Sequence, residues 1–131
     1  MTYDDFIGQV QHRARLADGG ATVHAVHAVL HALGERLYGN EAAQLAAELP
    51  TEIGVYLREA EERQPYTLKE FYTCVAALEG TQMPMAVFHT RAVISVLVDA
   101  VAPGEITDVL AQLPAEFDTL FSWSEGGEKA A

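Results

Sequence analysis

Apolar residues recur along this chain at steps of three and four, the spacing of one helix face, and no segment sustains the alternation of a strand. Tyr3, Phe6, Val10 and Ala14 make a first stripe, and Thr2 with Asp5 three residues on makes a capping box ahead of it. Leu68, Phe71, Val75 and Leu78 make a like stripe behind Thr67 and Glu70. A longer helix is expected over residues 21–38, burying Val23, Val26, Leu30, Leu33 and Leu37. Its counterpart is expected over 84–102, with Val87, Val93, Ile94, Leu97 and Val101 inward and Pro84 in the first turn, where a missing N–H does no harm. Gly39-Asn40 and Pro103-Gly104 break these helices. A short third helix then ends at Leu49 and at Leu113. Pro50 and Pro114 open a fourth, whose apolar positions are Ile53, Tyr56 and Leu57 in one case and Phe117, Leu120 and Phe121 in the other.

The elements come in the same order twice, and so do the residues. Phe6-x-x-x-Val10 returns as Phe71-x-x-x-Val75, and Ala28-Val29-Leu30-x-x-Leu33 returns as Ala92-Val93-Ile94-x-x-Leu97. Leu49-Pro50-Thr51-Glu52-Ile53 returns as Leu113-Pro114-Ala115-Glu116-Phe117, at an offset of 65 residues for the first helix and 64 from the second onward. A repeat of this kind marks one supersecondary unit used twice. The expected fold is all-α: two tandem four-helix repeats, residues 1–64 and 65–121, packed into one compact helical body through the first two helices of each copy. A unit of this size buries only about 60% of its unfolded surface, so neither copy is expected to fold alone. The run from Arg58 to Pro65 between them reads as a solvated, charged extension of the fourth helix, and it lacks the alternating carboxylates and glycine of a calcium loop. Residues 122–131 are expected to form a disordered tail, with Trp123 either docked on the body or exposed.

The paired capped starts, the Ala-Val-Leu-x-x-Leu long helix and the repeated Leu-Pro-x-Glu resemble a family of small bacterial proteins, domain of unknown function 2267. The resemblance runs from about Tyr3 to Phe121, and its most specific element is Ala111-Gln112-Leu113-Pro114-Ala115-Glu116-Phe117 leading to Leu120-Phe121. It implies an all-helical bacterial protein and supplies no activity, substrate or catalytic residue.

Charge narrows the classes of function. The formal net charge is −11, from 19 acids against 8 Lys and Arg, and neither copy is basic. Both halves would repel a phosphate backbone, so no nucleic-acid partner is expected. The start, Met1-Thr2-Tyr3-Asp4-Asp5, is acidic, unlike a secretory signal. The longest apolar stretch, residues 92–98, is far short of the roughly 20 needed to span a bilayer. A cytoplasmic protein with no membrane contact is expected. Cys74 is the one cysteine, which excludes an internal disulfide and reads as a buried, inert thiol.

One constellation carries candidate chemistry. His24, His27 and His31, with Glu35 one turn further, lie on a single stripe of the second helix. Imidazoles at i, i+4 can share a transition-metal ion, and a carboxylate could complete the set. The pattern lacks the glutamate of the His-Glu-x-x-His zinc proteases. The equivalent stripe of the second copy is Phe88, Arg91, Ser95 and Asp99, which cannot ligate in the same way. The plainer reading of the histidines is a polar stripe beside the core, and His12 and His89 read as isolated surface or satisfied polar residues. Ala17-Asp18-Gly19-Gly20-Ala21 is a turn before a helix, with Asp18 set against anion binding. The Leu-Pro-x-Glu segments are helix punctuation, with the glutamates complementing the helix dipole. No nucleophile or phosphate loop stands in a recognisable setting. The leading expectation is therefore a non-catalytic protein-interaction or scaffold module, without cofactor, that binds a protein partner or itself. The alternative is a transition-metal-binding protein using His24, His27, His31 and Glu35.

Overall fold

The computed structural model describes residues 1–123, whose regular structure is helical throughout. In chain order the helices are α1 (Tyr3–Ala14), α2 (Gly19–Arg36), α3 (Glu41–Ala46), α4 (Thr51–Arg58), α5 (Leu68–Glu79), α6 (Met83–Ala100), α7 (Pro103–Ala111) and α8 (Asp118–Phe121). A 3-10 turn, Ala115–Phe117, leads into the last. Both capping boxes form. The Asp5 N–H donates to Thr2 Oγ1 at 3.1 Å and the Thr2 N–H to Asp5 Oδ2 at 3.2 Å. The Glu70 N–H donates to Thr67 Oγ1 at 3.2 Å and the Thr67 N–H to Glu70 Oε1 at 2.9 Å. Helix α1 closes on Arg15 in the left-handed region, φ 54°, and α5 closes on Gly80 at φ 73°, where glycine meets no steric cost.

The long helices start and end slightly earlier than their apolar spacing suggests. Asp18 caps α2 by accepting from the Ala21 N–H at 2.8 Å, and Leu37 already turns out of the helix to bury its side chain. Pro50 and Pro114 stand one place before the helical residues they precede, with extended ψ of 142° and 154°. The two fourth elements also differ. Helix α4 runs eight residues, whereas its counterpart is a 3-10 turn and one helical turn. Two glycines let α4 approach closely: a β-carbon on Gly34 would overlap the Leu57 carbonyl, and one on Gly54 would lie 2.8 Å from the Ala46 carbonyl oxygen. Sixty-four residues on stand Val98 and Asp118, so the second copy carries side chains where the first has these two glycines.

A single apolar core runs through both halves, with Phe6, Leu30, Leu33, Phe71, Ile94, Leu97 and Phe117 fully buried. Phe71 and Phe117 meet edge to face, ring centroids 5.8 Å apart. Helix α1 packs on α6, α5 on α2, α2 on α6, and α3 meets α7. Helix α6 has a mean hydropathy of 1.3 and is half buried among these neighbours. Leu78 departs from its stripe and is 41% exposed.

The connection between the halves is held rather than free. The Gln64 N–H donates to the Glu35 carbonyl at 2.7 Å, and Arg36 Nε donates to the Tyr66 carbonyl at 2.8 Å. The buried Arg36 guanidinium also lies over the Phe117 ring, and burial followed by the Arg63 charge lowers its pKa. Arg63 in turn covers the Tyr38 ring at 4.3 Å. Of the tail expected to be disordered, Ser122 bonds back to Asp118 and Trp123 meets Phe88 edge-on at 6.4 Å. Residues 124–131 lie outside the described residues.

Candidate functional site

Helix α2 sends Val26, Leu30 and Leu33 into the core, and this leaves its histidines on the other side. They do not act together as one row of four ligands. His24 donates from Nε2 to the backbone carbonyl of Glu79 at 3.0 Å, tying α2 to the end of α5. Glu35 faces α5 and keeps only a long contact with His31. It accepts from the Tyr66 hydroxyl at 3.3 Å and the Cys74 thiol at 3.6 Å, and it lies 3.9 Å from His31 Nε2.

His27 and His31 converge instead on Glu59, the residue that ends α4. His27 Nε2 meets Glu59 Oε1, and His31 Nδ1 lies 2.9 Å from the same oxygen. One donor atom from each of the three residues lies within 4.8 Å of the others. The His27 ring is stacked on Tyr56 at 4.3 Å and 20°, which fixes its plane. Burial, then the neighbouring Tyr3 and Glu59, raises the Tyr56 phenol above its ordinary pKa, so the phenol stays protonated. In front of the cluster lies a cavity of about 280 Å³ lined by His24, His27, Ala28, His31, Glu59 and Leu78. A second cavity of about 470 Å³ continues past His31 to Glu35, Tyr66 and Cys74, with Leu78 shared between the two.

Cys74 is half-buried rather than fully buried. Burial raises its thiol pKa, Glu35 adds to the rise and Tyr66 partly opposes it, so thiolate is scarce at neutral pH. His89 belongs to the interior: its side chain is 4% exposed, and Nδ1 lies 2.5 Å from Glu79 Oε2. Glu79 thus holds two histidines, His24 through its backbone and His89 through its carboxylate.

The stripe on α6 is built differently. Arg13 of α1 donates to Ser95 Oγ at 3.1 Å and to Asp99 Oδ2 at 2.7 Å, so a guanidinium fills that face. Sixty-five residues after Arg13 stands Leu78, beside the open histidine cavity.

Glu59 is the participant that sequence reasoning passed over, because it sits in a charge run that reads as a solvated face. It is 28 positions from His31, and only the packing of α4 on α2 brings the two together. The resulting class is a small all-helical protein with a histidine–carboxylate cluster on its surface. The chain belongs to the DUF2267 family, described as an uncharacterized conserved protein, whose model matches residues 3–120. No curated protein matches the sequence.

Proposed function

We propose that this chain is a non-catalytic binding protein built from two tandem four-helix repeats, residues 1–64 and 65–121, and that its ligand is a transition-metal ion held by His27, His31 and Glu59. The repeat is supported by reciprocal hydrogen bonds. The Tyr38 N–H donates to Gln112 Oε1 at 3.0 Å, and the Ala102 N–H donates to Glu48 Oε1 at 2.8 Å. Tyr38 and Ala102 are 64 residues apart, as are Glu48 and Gln112, which is the pairing expected of like units around a two-fold axis.

The observation that carries the metal reading is the meeting of two imidazoles and one carboxylate at the mouth of a cavity. Two nitrogen ligands and one oxygen suit zinc and its first-row neighbours, with a fourth position left toward the cavity. Glu35 stands beyond the other nitrogen of His31, where carboxylates commonly orient a ligating imidazole. An imidazole must be neutral to ligate, so binding is lost on acidification.

Native mass spectrometry of the protein purified without a histidine tag tests the reading. One metal ion per chain, absent from the His27→Gln/His31→Gln variant, is the expected result. A chain that carries no metal and acquires none from added zinc overturns it. A second reading, docking of a protein partner on the same face, is favoured by Leu78, which is exposed between the two cavities. Leu78→Glu would abolish such docking and leave zinc uptake intact.

A further inference from the structure

We infer that Glu41, Glu105 and Asp108 form a second site, for a hard divalent cation of the calcium class, which ties α3 to α7. Glu41 is the first residue of α3, and Glu105 and Asp108 share one face of α7 at i, i+3. One carboxylate oxygen from each lies within 4.8 Å of the other two.

Crowded acids on a surface are ordinary, but Glu41 is not on the surface. It is 8% exposed, and its Oε2, shielded from solvent, meets no hydrogen-bond donor. Glu105 Oε1 is shielded as well, and the hydrogen-bonding neighbour of the Glu105 carboxyl is Glu41 itself, another acid. Buried carboxylate oxygens almost always have a partner, and an orphaned one on Glu41, with two further carboxylates beside it, points to a missing positive group. Hydrogen bonding to Glu41, then burial, then the fields of Glu41, Glu48 and Asp108 push the Glu105 carboxyl up to about 7, which reports the same crowding.

The donor set identifies the ion. All three ligands are carboxylates, with no imidazole or thiolate, which selects calcium or magnesium over zinc. Asp108 is exposed, so water can complete the six to eight oxygens that calcium takes. The location gives the ion a structural task. Glu41 and Glu105 are 64 residues apart, equivalent places in the two copies, and they meet where α3 crosses α7. The Tyr38–Gln112 and Ala102–Glu48 bonds join the same parts of the chain. A cation there would cross-link the halves and leave the histidine cavity untouched.

Thermal melts of chelator-treated protein with added calcium chloride, against sodium chloride at equal ionic strength, provide the test. Calcium is expected to raise the melting temperature of the wild type and of His27→Gln/His31→Gln alike. It is expected to leave Glu105→Gln/Asp108→Asn unmoved, and that variant should melt above the wild type without calcium because the crowding is relieved. Terbium luminescence excited through the protein's aromatic residues, displaced by calcium, should appear in the wild type and be absent from the double variant. Equal calcium shifts in the wild type and in Glu105→Gln/Asp108→Asn would overturn the site, as would no shift in either.

Discussion

The backbone of Gly34 on α2 lies against the carbonyl of Leu57 on α4, so closely that a β-carbon would overlap the oxygen. Glu59 follows two residues after Leu57, so this contact sets where its carboxylate stands over His27 and His31. Gly34→Ala therefore pits two effects against each other. Alanine gains about 1 kcal/mol of helix propensity over glycine. Forcing a methyl into a packed backbone contact costs about 1–3 kcal/mol or more. Because the obstacle is backbone on a buried helix pair, the steric cost should win. Urea melts are expected to show net destabilisation with weaker zinc uptake, and a stabilised variant would mean that α4 yields easily.

The caps give the protein a defined acid limb. Asp5 and Glu70 are held below the ordinary carboxylate range, first by the Thr2 and Thr67 backbone N–H groups and then by their hydroxyls. A depressed carboxylate stabilises the fold above its unfolded pKa, and that contribution is lost as pH falls through the lowered folded value. Asp5→Asn/Glu70→Gln should flatten the fall of stability between about pH 5 and pH 2. An unchanged slope would assign acid sensitivity to other groups.

His89 and Glu79 are paired almost out of solvent, with side chains 4% and 8% exposed, and His89 Nε2 and Glu79 Oε1 meet no further partner. Breaking a buried pair by removing one member costs about 3–5 kcal/mol, whereas replacing both with apolar residues is often neutral. His89→Ala is expected to fall in that range, and His89→Leu/Glu79→Leu to recover most of the loss. A cost below about 1 kcal/mol for His89→Ala would show the pair to be hydrated.

The parts of this molecule legible in its sequence are those written locally. Thr2 with Asp5, and Thr67 with Glu70, announce their helices within three residues, and the stripes through Phe6, Leu33, Phe71 and Leu97 point to the core they occupy. The helical positions of His27 and His31 were equally plain. Their partner was not, because Glu59 reaches them only through the glycine contact between α4 and α2, and spacing along one helix favoured Glu35 instead. The partner of His89 is hidden for a like reason: the sequence reads it as a surface or satisfied polar residue, and Glu79, which satisfies it, lies across the α5–α6 turn. The fourth elements differ in length although the same Leu-Pro-x-Glu segment opens both, so that difference is not written in the segment they share.

The binding claim meets its most direct test in calorimetric titration of zinc into four proteins: wild type, His27→Gln/His31→Gln, Glu59→Gln and His24→Gln. Wild type and His24→Gln are expected to bind one ion per chain with similar affinity, since His24 is engaged with the Glu79 carbonyl. Binding should be lost in the double variant and weakened at least tenfold, about 1.4 kcal/mol, in Glu59→Gln. No heat of binding to the wild type, or binding that survives His27→Gln/His31→Gln, would contradict the account.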